Sequence, residues 1–195
     1  SGIDTVPGMG EWDMSNVTNM SNMFRGFSIS SGLFNEDIGN WEVSKVTDMS
    51  YMFGNTIGTS TFNQNIGRWN VASVTTMMGM FNANATNPAL FNNGGSDAIK
   101  DWDLVSDTSN NLMFSNAKYF NQDISGWNMS NVTNTGNMFS GATAFNQDIG
   151  HWNMSNVTNI GSMFNGASSF NQDLGEWNVS KVTAMSTVFN GARAF

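Results

Sequence analysis

The sequence predicts a repeat solenoid: a leucine-rich-repeat-like right-handed coil with two short strands and a short helical turn in each repeat of about 25 residues. Two observations carry this. The stretch FNQDISGWNMSNVTNTGNMFSGA from Phe120 returns in near copy from Phe145 and from Phe170. The seven tryptophans, Trp12, Trp41, Trp69, Trp102, Trp127, Trp152 and Trp177, are each followed 12 residues later by a phenylalanine, from Phe24 to Phe189. Composition alone does not hold one spacing through every copy. Stacking does.

Residues 1–11 contain Gly and Pro and lack a complete unit. Within each unit, FNQDI alternates apolar and polar residues, as a half-buried strand does. The V-T-x-M segment, such as Val17-Thr18-Asn19-Met20, also alternates and is β-branched, which suits a second strand. S-x-M-F-x-G-A then reads as one helical turn. Residues able to cap it stand at Ser21, Ser50, Asn111, Gly136, Gly161 and Ser186, and Gly26, Gly141, Gly166 and Gly191 stand where it must end. A pure β-solenoid with three strands per coil is the alternative.

Aligned on tryptophan, like residues fall on like. Trp41, Trp69, Trp127, Trp152, Trp177, Phe53, Phe139, Phe164, Val132, Val157, Met138 and Met163 belong to columns expected to form the core. The Asn35, Asn63, Asn92, Asn121, Asn146 and Asn171 column is expected to turn inward as an asparagine ladder. Length varies in few places, and the segments 26–33, 54–61, 82–90 and 92–101 are read as surface loops along one or two edges. The fourth copy breaks the pattern. Asp107 and Asn110 stand where others carry Val and mainly Met or Ile, so either the register shifts there or the coil is locally open.

The whole chain is therefore expected to be one domain of about seven repeats, cut from a longer array. Charged residues are 11 % of the chain, so solubility rests on Asn, Ser, Thr and Gln, as in extracellular repeat proteins. A net charge of −8 leaves no basic stripe for nucleic acid or an anionic membrane surface. There is no cysteine, hence no disulfide or thiolate metal site, and no apolar run long enough to span a membrane.

The unit FNQDI–W–x–x–S–x–VT–x–M–x–x–MF–x–GA resembles the bacterial surface protein repeat of Listeria and Mycoplasma lipoproteins. More distantly it resembles the BspA-type leucine-rich repeats, from about Met9 to Phe195. The resemblance implies a surface-exposed, non-catalytic array of adhesive or antigenic character, with no catalytic or ligand residues to carry over.

The chemistry in the columns is sparse. Asp37, Asp123, Asp148 and Asp173 could form a weak calcium site, or could each accept N–H groups at a turn; Asn65 and Ala98 interrupt the column. The invariant Thr18, Thr47, Thr75, Thr108, Thr133, Thr158 and Thr183 read as a packed strand face, or as a thin ice-binding array. Asn16, Asn84, Asn128, Asn131, Asn153, Asn156 and Asn178 each begin an N-x-S/T sequon, which a secretory route could glycosylate. The single histidine, His151, stands in the variable position before Trp152, so no His-based triad or metal site can be built.

These observations lead to a non-catalytic cell-surface or extracellular module for adhesion or protein interaction, needing no cofactor. A filament or matrix protein assembling through ends or edges is the first alternative, and a carbohydrate- or ice-binding array the second. Its partner would be a protein, a cell-surface ligand or further copies of itself.

Overall fold

The residue ten positions after each tryptophan decides the local backbone. Asn22, Tyr51, Leu112, Asn137, Ser162 and Thr187 all take positive φ, from 53° to 61°, and Gly79 takes 60°. A left-handed residue cannot sit inside a right-handed helical turn. The S-x-M-F-x-G-A segment therefore closes as two successive tight turns, with Met138 N–H donating to the Thr135 carbonyl and Ser140 N–H to that of Asn137, each at 3.1 Å.

The intervening N–H groups reach the next coil. Thr135, Asn137, Phe139 and Gly141 donate to the carbonyls of Asn159, Gly161, Met163 and Asn165 at 2.7–3.0 Å. The same four-bond set joins the coil of Trp12 to that of Trp41, through Met20, Asn22, Phe24 and Gly26. In this segment every coil presents N–H groups to the coil after it and carbonyls to the coil before it.

These relations come from a computed structural model that describes residues 8–26, 34–55 and 60–195. Among them there is no strand, no sheet and no α-helix. There are only three 3-10 turns, Met9–Glu11, Asn93–Gly95 and Asp97–Asp101, and isolated parallel bridges such as Asn134↔Asn159. Neither the leucine-rich-repeat-like coil with two strands and a helical turn nor the pure β-solenoid is what forms. The chain is a stack of strandless coils built from turns.

The physical reasons differ by segment. In V-T-x-M only one residue per coil bridges, because the left-handed residue follows three positions on and ends any extended run. In FNQDI the coil-to-coil bonds are made by side chains. Asn146 N–H donates to Asn121 Oδ1 at 2.9 Å, and Asn171 N–H to Asn146 Oδ1 at 2.8 Å. This is an asparagine ladder, but it runs along the surface rather than inward.

Apolar columns fill the interior. Trp41, Trp69, Trp127, Trp152, Phe53, Phe139, Phe164, Val132, Val157, Met138 and Met163 are all buried. Trp177, in the last coil, is only partly buried. Two phenylalanines of neighbouring turns stack face to face within a layer, Phe139 on Phe145 at 3.9 Å, and each stacks on its counterpart in the next coil. Trp127 and Trp152 lie parallel at 6.4 Å. Each buried indole N–H donates to the carbonyl of the apolar residue that precedes the tryptophan of the previous coil, as Trp152 Nε1 does to Ile124 at 3.1 Å.

The fourth coil keeps register, with Asp107 and Asn110 both fully buried in their columns. Of the four segments expected as surface loops, 26–33 and 54–61 lie largely outside the described residues. Segments 82–90 and 92–101 are only partly at the surface: Ala83, Ala89, Asn93 and Ile99 are buried.

Candidate binding face

One column is exposed in every coil and changes its chemistry from coil to coil. The residue before each tryptophan is Glu11, Asn40, Arg68, Asp101, Gly126, His151 and Glu176, and each of these is exposed. Its backbone is fixed from both sides. The following tryptophan is anchored through its ring and its turn, as in the Trp152 N–H bond to Ile149 at 3.1 Å. Three positions before the column, a side-chain oxygen accepts the N–H two residues on: Asp37 to Gly39, Asn65 to Gly67, Asp123 to Ser125, Asp148 to Gly150 and Asp173 to Gly175, all at 2.8–3.0 Å. A rigid frame thus presents a side chain that changes from copy to copy.

The column lines two shallow recesses. One is bordered by Asp148, His151, Asp173 and Glu176, with His151 Nδ1 2.9 Å from Glu176 Oε2. The other is bordered by Asp37, Asn40, Asn65 and Arg68. The sequence marks this position as variable beside an invariant tryptophan, a signal that holds for the whole column.

The other sequence-marked residues are tied into the frame. Each of Asp37, Asp123, Asp148 and Asp173 directs one carboxylate oxygen to its own turn. The Ser125 N–H and hydroxyl hold the Asp123 carboxyl below its usual range. Among the described residues no group of three His, Cys, Asp or Glu side chains could hold a metal ion. The threonine hydroxyls donate along their column, Thr47 to Thr18, Thr133 to Thr108 and Thr158 to Thr133, each at 3.1 Å.

The sequon asparagines are mixed. Asn16, Asn128, Asn131, Asn153 and Asn178 are exposed, whereas Asn84 and Asn156 are half-buried. The amides of Asn131 and Asn156 already donate to the carbonyls of Val105 and Ser130 in the coil before. Asn128, Asn153 and Asn178 accept at their own turns.

One buried polar site lies apart from this face. Asp107 Oδ2 and both amide atoms of Asn110 have no hydrogen-bond partner. Burial pushes the Asp107 carboxyl up to about 7, against the opposing pull of the Ser109 and Thr108 N–H groups; the Asn110 amide pulls the same way but makes no hydrogen bond of proper geometry. Among the described residues no helix is long and apolar enough to cross a membrane.

The model of a family described as "Mycoplasma protein of unknown function, DUF285" matches the chain twice, over residues 3–93 and 86–195. The chain belongs to this family. Neither a curated protein nor a solved structure matches it.

Proposed function

We propose that this family member is a non-catalytic repeat module that binds another protein through the column before its tryptophans, outside the cell. The observation that carries this reading is the contrast between that column and its neighbours. The Asn, Asp and Thr columns repeat because they bond coil to coil or close turns, while the exposed column carries acidic, basic, amide, imidazole and glycine positions on the same backbone. Variable side chains on a repeated frame are how stacked-repeat proteins build extended recognition surfaces. The sequence likeness to Listeria and Mycoplasma surface repeats supports the extracellular setting.

A variant with Asn40, Arg68, Asp101, His151 and Glu176 all changed to Ala tests it. We expect an unchanged melting temperature, because these side chains are exposed, and at least about a tenfold loss of binding to whole cells, since a few contact residues dominate an interface. Full binding by the folded variant would place recognition elsewhere, with the segments 82–90 and 92–101 next in line.

A second reading, assembly of copies by coil-on-coil stacking, is favoured by unpaired backbone groups on the first and last described coils, which further repeats of the same chain would cover equally well. The N–H groups of Met185, Thr187, Phe189 and Gly191 donate to no described residue, and the carbonyls of Asn19, Ser21, Met23 and Arg25 accept from none. Val179, Met185, Phe189 and Phe195 are exposed on the last coil, although Met14, Met20 and Phe24 on the first are already buried. The chain has no cysteine, so Asn19→Cys and Ala184→Cys chains can be mixed and oxidised. Head-to-tail stacking predicts crosslinked heterodimers; their absence, or equal crosslinking of Ala184→Cys alone, rejects it.

A further inference from the structure

We propose that the chain consists of two cooperative units, coils one to three and coils four to seven, joined at an interface weakened by an inserted segment and by buried polar side chains. The bridge column runs Asn19↔Asp48↔Thr76 and resumes as Ser109↔Asn134↔Asn159↔Ala184, with no bridge between Thr76 and Ser109. Parallel tryptophan stacking runs from Trp12 to Trp69 and from Trp102 to Trp152; it lapses between Trp69 and Trp102 and again between Trp152 and Trp177, but Trp177 still lies against Phe164 whereas Trp102 lies against no phenylalanine of the coil before. By contrast Trp41, Trp69 and Trp127 each lie over the phenylalanine of the coil before.

The bonds across the junction are uneven. On the turn side Gly79, Phe81 and Ala83 still donate to Asn111, Met113 and Ser115 at 2.8–2.9 Å. Two others are longer, Met77 N–H to Ser109 at 3.3 Å and Trp102 Nε1 to Ile66 at 3.3 Å where its equivalents are 2.9–3.1 Å, while Thr108 N–H to Thr75 at 3.1 Å and Asn92 N–H to Asn63 Oδ1 at 2.7 Å are kept.

The inserted segment separates the two tryptophans. Asn93, at φ 50° and fully buried, accepts the Ile66 N–H at 2.9 Å and donates to the Ser96 carbonyl at 2.8 Å. Ala98 lies directly against Gly67, closely enough that a Cβ there would meet it. The insertion is a wedge between the third and fourth tryptophans. Just beyond it, Asp107 and Asn110 replace apolar core residues and leave three polar atoms without partners. The neighbours of Asp107 in its column are Val74 and Val132, and no charged side chain offsets its burial.

In a stacked array, stability is a sum of coil terms and nearest-neighbour interface terms, so one weak interface uncouples the two sides.

Urea unfolding followed by pulsed hydrogen exchange, read separately over residues 34–55 and 102–195 at pH 8, tests the proposal. We expect two midpoints, differing by about 0.5 M or more, since a weak interface lets each unit unfold at its own stability. The variant Asp107→Val with Asn110→Ile should bring them together by restoring apolar contact across the fourth coil. One shared midpoint in the unaltered chain would overturn the proposal, as would a change of midpoint falling within coils four to seven.

Discussion

Asp107→Val is expected to stabilise the chain at pH 8 by on the order of 4 kcal/mol and to abolish most of its pH dependence near neutrality. The folded carboxyl titrates at about 7, raised by burial from its ordinary 3.8. Below about pH 4 both folded and unfolded states hold the proton, and ionisation costs nothing. Between about pH 4 and 7 the unfolded chain ionises while the folded one does not, so stability falls by about 1.4 kcal/mol per pH unit. Above about pH 7 the loss is complete and levels off. Valine fits because Val74 and Val132 fill the same column, fully buried, in the adjoining coils. Urea unfolding of both proteins at pH 4.5 and pH 8 checks it. A variant no more stable than its parent at pH 8 would mean that Asp107 is not enclosed as described.

Trp127→Ala should cost about 3–5 kcal/mol, in the range for an aromatic removed from a packed core. The indole is 3 % exposed and parallel to Trp102 at 6.1 Å and to Trp152 at 6.4 Å. Its N–H donates to the Ile99 carbonyl at 2.9 Å. Truncation therefore removes two stacking partners and opens a cavity between coils four and six. Trp12→Ala gives the contrast, because that ring is 45 % exposed and stacks on one side only, on Trp41. Thermal unfolding of the two variants should separate them clearly; equal losses would contradict the column packing.

The period and the core columns were legible because burial repeats with the coil: Trp, Phe, Met and Val recur where side chains meet above and below. The backbone between them was not. Alternation in FNQDI reflects buried Phe120 and Ile124 flanking polar residues, yet the ladder there is made by Asn side chains, so a strand pattern arises without a strand. The helical turn failed on the left-handed position. Asn22, Asn137 and Gly79 hint at it, but Tyr51, Leu112 and Thr187 adopt the same φ without any propensity for it. Neighbouring coils impose that geometry through hydrogen bonds, which no local reading contains. At the candidate binding face the sequence showed a variable position, but exposure was needed to turn variability into a surface.

The central claim is that strandless coils are bonded to one another in register, one repeat apart. Hydrogen-bond scalar couplings measured by NMR test it most directly. The Phe139 amide should couple to the Met163 carbonyl and the Phe164 amide to that of Val188, where the bonds are 2.9 and 3.0 Å, and the Thr158 amide should couple back to Thr133. Couplings from these amides to carbonyls four residues earlier in the chain would instead reveal a helix and contradict the account.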